Sequence, residues 1–138
     1  MRYPSALLAG PAVLVLAACQ PFGADSEAVT GALTLRERIA LPPEAVAVVS
    51  VVDISEAGER DALLGRTEII GPSPPPIPFR VRYQPAAVDP ERRYGVRAQI
   101  VVGQELWFAS DQLYPVLTQG APDRVEVMLD RPGPAPID

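Results

Sequence analysis

Seventeen prolines and ten glycines are spread along a chain of 138 residues, and they limit what it can fold into. Proline removes a backbone donor and breaks helix interiors, and glycine weakens them. Between these breaks lie short runs of Val, Ile, Leu, Phe and Tyr, residues that favour a pleated strand. Long helices are therefore disfavoured, and an all-β chain with many turns is expected. With 48% hydrophobic and 21% charged residues, the composition is that of a globular protein, and the length is that of one domain.

Charge and residue usage narrow the function. The formal net charge is -5 and the isoelectric point is near 4.7, so a nucleic-acid binder that tracks phosphates is not expected. There is no His, Lys or Asn, and Cys19 is the single thiol. The usual general bases, Schiff-base amines and His or multi-Cys metal sites are thus missing. The expectation is a protein that is not an enzyme and needs no metal or cofactor.

The N-terminal residues have a different character. Residues 6–18 are all apolar apart from Gly10 and Pro11. As a helix they would reach about 20 Å, too short for a hydrocarbon core of about 30 Å. They read as the apolar region of a signal peptide. The segment ends in Leu16, Ala17, Ala18 and Cys19, which resembles the bacterial lipobox, in which the Cys becomes the lipidated first residue of the mature chain. The plainer alternative, an ordinary leader followed by an unpaired Cys, leaves the lone thiol of an exported protein unexplained. The organisation expected is a signal peptide at 1–18, a lipidated Cys19 with a flexible tether at 19–28, a β-sandwich domain at 29–130 and a disordered tail at 131–138. At about 0.8 kcal/mol per buried CH₂, two or three acyl chains anchor a protein stably. Gln20 stands where an Asp usually marks retention at the inner membrane, which points to the outer membrane, with the domain facing the periplasm.

From Val29 onward the apolar pattern has period two. Residues 29–41 read as a first strand, and Pro42 and Pro43 end it. The nearly all-apolar run 45–54 reads as a central strand covered on both faces. A short strand at 66–70, a stiff proline connector at 72–78 and a clean alternating strand carrying Phe79, Val81 and Tyr83 follow. Tyr94, Val96, Ala98, Ile100 and Val102 share the next face. Aligning Leu106 and Phe108 with it calls for a three-residue loop, residues 103–105. A short strand at 116–118 and a last one with Val125, Val127 and Leu129 complete seven or eight strands, hence a two-layer sandwich. Val46, Val48, Val52, Phe79, Val81, Val96, Ile100, Phe108 and Val127 are expected in one core.

Several segments, taken in order, resemble a known family. Residues 38–55 (RIALPPEAVAVVSVVDIS), 77–79 (IPF), 93–100 (RYGVRAQI) and 114–118 (YPVLT) are similar to the YbaY family of bacterial lipoproteins, which is related to the YscW-type lipoprotein chaperones, or pilotins, of type III secretion. The resemblance spans about residues 28–130. It implies an Ig-like or transthyretin-like two-sheet β-sandwich and, for a subgroup, a pilotin role; it assigns no binding residues.

Chemistry-bearing groups are few. Asp53, Glu105 and Asp111 are the carboxylates from which a glycosidase-like pair would be drawn, which needs about 5 to 10 Å between carboxyls; solvated strand ends explain them more simply. Arg80, Arg82, Arg93 and Arg97 alternate with core residues and form a candidate basic strip, suited to carboxylate or phosphate groups. Trp107 is a candidate for stacking on a sugar or an apolar partner. Arg80, Arg82, Arg97 and Trp107 are therefore the expected partner-binding residues. The favoured function is an outer-membrane lipoprotein that presents a chaperone-like or pilotin-like module to a periplasmic or outer-membrane protein; the alternative is a binder of envelope polysaccharide or glycolipid. Fatty-acid labelling is expected to mark the wild-type chain and not a Cys19→Ser variant, and equal labelling of the two would refute the anchor.

Overall fold

The computed structural model describes residues 27–55 and 62–132. The expected leader, Cys19 and nearly all of the tether and tail lie outside the described residues. Among the described residues there are eight strands and a single 3₁₀ turn: β1 (Glu27–Leu35), β2 (Ala45–Asp53), β3 (Leu63–Ile70), β4 (Ile77–Tyr83), β5 (Tyr94–Val102), β6 (Glu105–Ser110), β7 (Tyr114–Val116) and β8 (Arg124–Asp130), with the 3₁₀ turn at Pro85–Ala87. The all-β expectation holds. No helix of the described residues is long and apolar enough to cross a membrane.

The strands form one ladder in the order β3-β2-β5-β6-β8-β1-β4, with β7 also paired to β5. A division into two separate sheets was expected, and β6 is the reason that the ladder does not break. Val101 pairs with Leu106 and Ile100 with Phe108, which leaves Trp107 as the extra residue of a β-bulge. A bulge bends and twists its strand. Beyond it Ala109 faces Gln99 on one side and Asp130 on the other, and Ser110 faces Leu129. β6 therefore crosses from one half of the sheet to the other, and β7 takes over its place beside Tyr94 and Val96.

The bulge also corrects the expected loop. Val102 pairs with Glu105, so the turn has two residues, Gly103 and Gln104, and Gly103 has φ 62°. A glycine at positive φ suits the first position of such a turn. The extra residue at Trp107 then restores Phe108 to the core, where it is fully buried, while Leu106 stays 43% exposed.

The two ends of the ladder nearly meet. A Cβ placed on Gly65 of β3 would lie 2.4 Å from the carbonyl oxygen of Arg82 on β4, so only a bare backbone allows this approach. The result is a nearly closed, barrel-like sheet around one core that includes Val29, Leu33, Phe79, Val81, Val96, Ile100, Phe108 and Val127.

β2 reverses the expected facing. Ala45, Ala47, Val49 and Val51 belong to the core, whereas Val46, Val48 and Val52 take the other face. The run AVAVVSVVD has no polar alternation to fix its register, so its neighbours decide: Val49 is opposite Ala98 and Val51 opposite Val96. Val48 is nevertheless buried, and so is Val52. Val52 pairs with Gly95, over which Ile54 and Leu113 fold.

β1 joins β4 to the rest of the ladder. It pairs antiparallel with β4 and parallel with β8. At Gly31 a Cβ would sit 1.7 Å from the carbonyl oxygen of Val125 and 2.9 Å from the Phe79 ring, so this close approach requires glycine. Gly31→Ala is expected to cost at least the roughly 1 to 3 kcal/mol of ordinary overpacking, because the clash is with backbone. Phe108→Ala is expected to cost about 3 to 5 kcal/mol. Val49→Ala removes two buried carbons, worth about 0.8 kcal/mol each, and should cost clearly more than Val46→Ala; equal costs in urea unfolding would overturn the facing of β2.

Candidate functional site

The C-terminal end of β1 opens into a groove. After Leu35 the chain stays beside β8 for one more bond, Arg36 N–H donating to the Leu129 carbonyl at 3.0 Å. It then turns across the end of the barrel until Pro42 and Pro43, where Ala45 N–H donates to the Pro42 carbonyl at 3.0 Å. Pro75 and Pro76, from the connector between β3 and β4, form the opposite wall. Between them lies an open groove of about 600 Å³ whose apolar lining is Leu35, Ile39, Ala40, Pro75 and Pro76, with Glu37 and Arg38 on its rim.

Two arginines hold the loop that forms this groove. Arg36 donates from Nε to Asp130 Oδ2 at 2.8 Å and from Nη2 to Asp111 Oδ2 at 3.3 Å. Arg131 donates from Nε to Glu37 Oε2 at 2.8 Å, and its guanidinium lies 5.4 Å from the centre of the Phe108 ring. Tyr114 extends the first pair: its hydroxyl donates to Asp111 Oδ1 at 2.5 Å and accepts from Met128 N–H at 3.0 Å. Burial and the Asp111 carboxylate raise the Tyr114 hydroxyl above its usual pKa. Each exposed pair contributes little alone, but together they tie residues 36 and 37 to the end of β8. Glu37 is thereby occupied. Arg38 is exposed and makes no ion pair among the described residues. Such a groove can take a short apolar segment of chain that carries an acidic group.

A smaller hollow of about 390 Å³ lies at the other end of β1, between Glu27, Tyr83, Val88, Pro90 and Leu117. The Tyr83 hydroxyl donates to Glu27 Oε2 at 2.9 Å; burial, reinforced by Glu27, pushes its pKa up to about 12. Leu117 has φ 73° at the centre of a tight turn closed by Thr118 N–H on the Val116 carbonyl. That turn is why the strand expected at 116–118 ends at Val116.

The residues singled out in the sequence are dispersed. Arg80 and Arg82 stand together, exposed, on β4. Arg97 lies on β5, opposite Ser50 of β2, which is three strands from β4 across the seam, and it already has an interaction partner. Arg93 precedes β5, where its backbone bonds Ser55. Trp107 is half-buried at the bulge and packs against the core. Asp53 is held by the Ser55 N–H at 2.9 Å and by Arg92. Burial opposes its charge, but these bonds bring its pKa below the usual value. Asp53 and Glu105 face opposite ends of β5, at Tyr94 and Val102, about 26 Å apart at about 3.3 Å per residue. They are not a glycosidase-like pair.

Sequence reasoning missed the groove. Its only visible signal was the proline run at 72–78, read there as a connector. Arg124 was missed as well: it is opposite Thr30, which in turn is opposite Arg80, so the basic strip continues from β4 onto β8 rather than onto β5.

The comparisons agree with this architecture. The family model of the type III secretion system lipoprotein chaperone, YscW, matches residues 24–129. The uncharacterized lipoprotein YbaY of Escherichia coli strain K12 is 33% identical over 93 residues, which are 67% of this chain and 49% of that protein, so the chain spans about half the length of this relative. Among solved structures, an alternative pilotin from the type II secretion system of Vibrio cholerae is similar, with a TM-score of 0.75 and 32% identity, covering 79% of this chain and 99% of the other. A match that extends over most of the chain, joined to the same strand framework, establishes that this protein belongs to the YscW family of lipoprotein chaperones.

Proposed function

We propose that this chain is a pilotin-like chaperone, held at the outer membrane by lipid on Cys19 and offering its groove to an apolar, acidic segment of a periplasmic or outer-membrane protein during delivery or assembly. The family supports a chaperone role, and the V. cholerae neighbour is a pilotin by description. The observation that carries the reading is the groove itself. It combines an apolar lining with Arg38, which makes no ion pair among the described residues, and it sits at Leu35, the end of β1 away from Glu27. Eight residues at about 3.3 Å each separate these two ends by about 26 Å. A chain anchored ahead of Glu27 thus presents the groove on its far side. Binding, not catalysis, suits a site with one exposed guanidinium, one carboxylate already paired and walls of proline.

The test is photocrosslinking in cells from a reactive residue placed at Ala40, compared with one at Trp107 or Arg97. Capture from Ala40 is expected, with the captured protein losing the crosslink when its apolar, acidic segment is deleted. Arg38→Glu should lower the yield about tenfold or more while changing stability by only about 0 to 1 kcal/mol, since the charge is exposed. Capture from Trp107 or Arg97 but not from Ala40 would move the partner to the surface expected from the sequence and refute the groove.

A further inference from the structure

Among the described residues the arginines differ in whether a carboxylate holds them. Arg36, Arg66, Arg92 and Arg131 form ion pairs with Asp130, Glu68, Asp53 and Glu37. Arg80, Arg82 and Arg124 are exposed and form none among the described residues. Carboxylates are not scarce, with seventeen Asp and Glu against twelve Arg. These three are nevertheless left unpaired, and the sheet places them on one face.

Register fixes that placement. Arg80 is opposite Thr30, and Thr30 is opposite Arg124. Residues directly opposite one another project from the same side of a sheet, and Thr30 lies between the inward Val29 and Gly31. Arg82 follows on the same side, opposite Ala28. The guanidiniums therefore rise from a triangle about 10 Å wide, two strand spacings, and about 7 Å long, two residues along β4. The floor is low, since β1 offers only Ala28, Thr30 and Ala32 here. Glu126, opposite Ala32, is the one carboxylate that shares the face in the next row. The Glu27 carboxylate is taken by Tyr83.

We infer that Arg80, Arg82 and Arg124 form a membrane-facing surface that binds the phosphates of anionic lipid headgroups in the bilayer that holds the anchor. The inference rests on the reading of Cys19 as that anchor, and two observations choose a bilayer over an acidic protein. First, the triangle stands at the first residues of β1, beside Ala28 and Thr30, and only seven residues separate Glu27 from Cys19. The eight steps from Cys19 to Glu27 span at most about 29 Å, so the face lies within reach of the headgroups wherever the chain is anchored. Second, three cations over a floor of small side chains suit a surface of phosphates; beside Arg82 there is a hollow of only about 340 Å³ with Leu64, Tyr83, Gln84 and Ala87, and the larger groove suited to a polypeptide lies at the opposite end of the same strand. Arginine forks match phosphate oxygens bidentately. Because side chains stand perpendicular to their strand, lipid contact here would lay β1 along the membrane surface, with the groove at the end of the strand remote from the anchor.

The experiment uses the mature chain with Cys19→Ser, so that no acyl chain contributes, and measures cosedimentation with vesicles of phosphatidylglycerol and phosphatidylcholine against vesicles of phosphatidylcholine alone. Binding to the anionic vesicles only is expected, and it should weaken as salt is raised. The triple variant Arg80→Ser, Arg82→Ser, Arg124→Ser should bind about a hundredfold more weakly, as follows from about 1 kcal/mol for each arginine near an anionic surface. The triple change to Lys should retain most of the binding. Circular dichroism of the triple variants checks that the fold is kept. Equal binding to both vesicle types, or an unchanged triple Ser variant, would overturn the inference. So would a chain that ignores both vesicles while its crosslinks to an acidic protein in cells depend on the three arginines. Fatty-acid labelling of Cys19 reads the anchor separately, so failure of the anchor and failure of the surface are distinct results.

Discussion

Pairing of the first strand with the last is the contact on which the rest of this structure depends. β1 lies between β4 and β8, and it reaches β8 only because Gly31 has no side chain to strike the Val125 carbonyl. Without that parallel ladder β1 and β4 would lose their strand pairing to the rest of the sheet. With it, Leu33 and Val127 come side by side in the core, the sheet curls until Gly65 touches β4, and residue 36 is delivered to Asp130, where the groove begins. A glycine is entropically unfavourable inside a strand. Its cost here is offset by a closure that buries the apolar faces of β1, β2, β4, β5 and β8.

Much of this was legible in the sequence, and what was not has identifiable physical causes. β4 alternates strictly, IPFRVRY, and its buried and exposed positions follow the letters; β5 does likewise from Val96 to Ile100. β2 failed because a run apolar on both faces carries no phase of its own. The hairpin at Gly103 failed differently. Two solutions could align Phe108 with Ile100, a longer loop or a bulge, and local sequence does not distinguish an extra residue at Glu105 from one at Trp107. That single displaced residue also hid the continuity of the ladder, since it is the bend at Trp107 that carries β6 across.

The site was less legible than the fold because it is made of segments distant in sequence. The groove needs Leu35 and Ile39 beside Pro75 and Pro76, a juxtaposition that follows from β1 pairing with β4. The basic face needs Arg124 beside Arg80, which follows from a parallel pairing of first and last strands that periodicity cannot announce. Within one strand, Arg80 and Arg82 were visible as an alternating pair, and they remain neighbours. The family resemblance supplied what the alternation could not, the chaperone context, while the placement of charge came only with the ladder.

The double pairing of β1 has a mechanical consequence. Tension applied at its N-terminal end, as from a tether under load, acts along the strand, whereas the hydrogen bonds to the antiparallel β4 run across it and those to the parallel β8 slant across it. The load is therefore shared in shear by both ladders at once instead of opening one like a zipper from its end. Drawing out this strand therefore requires many hydrogen bonds on both of its edges to break together.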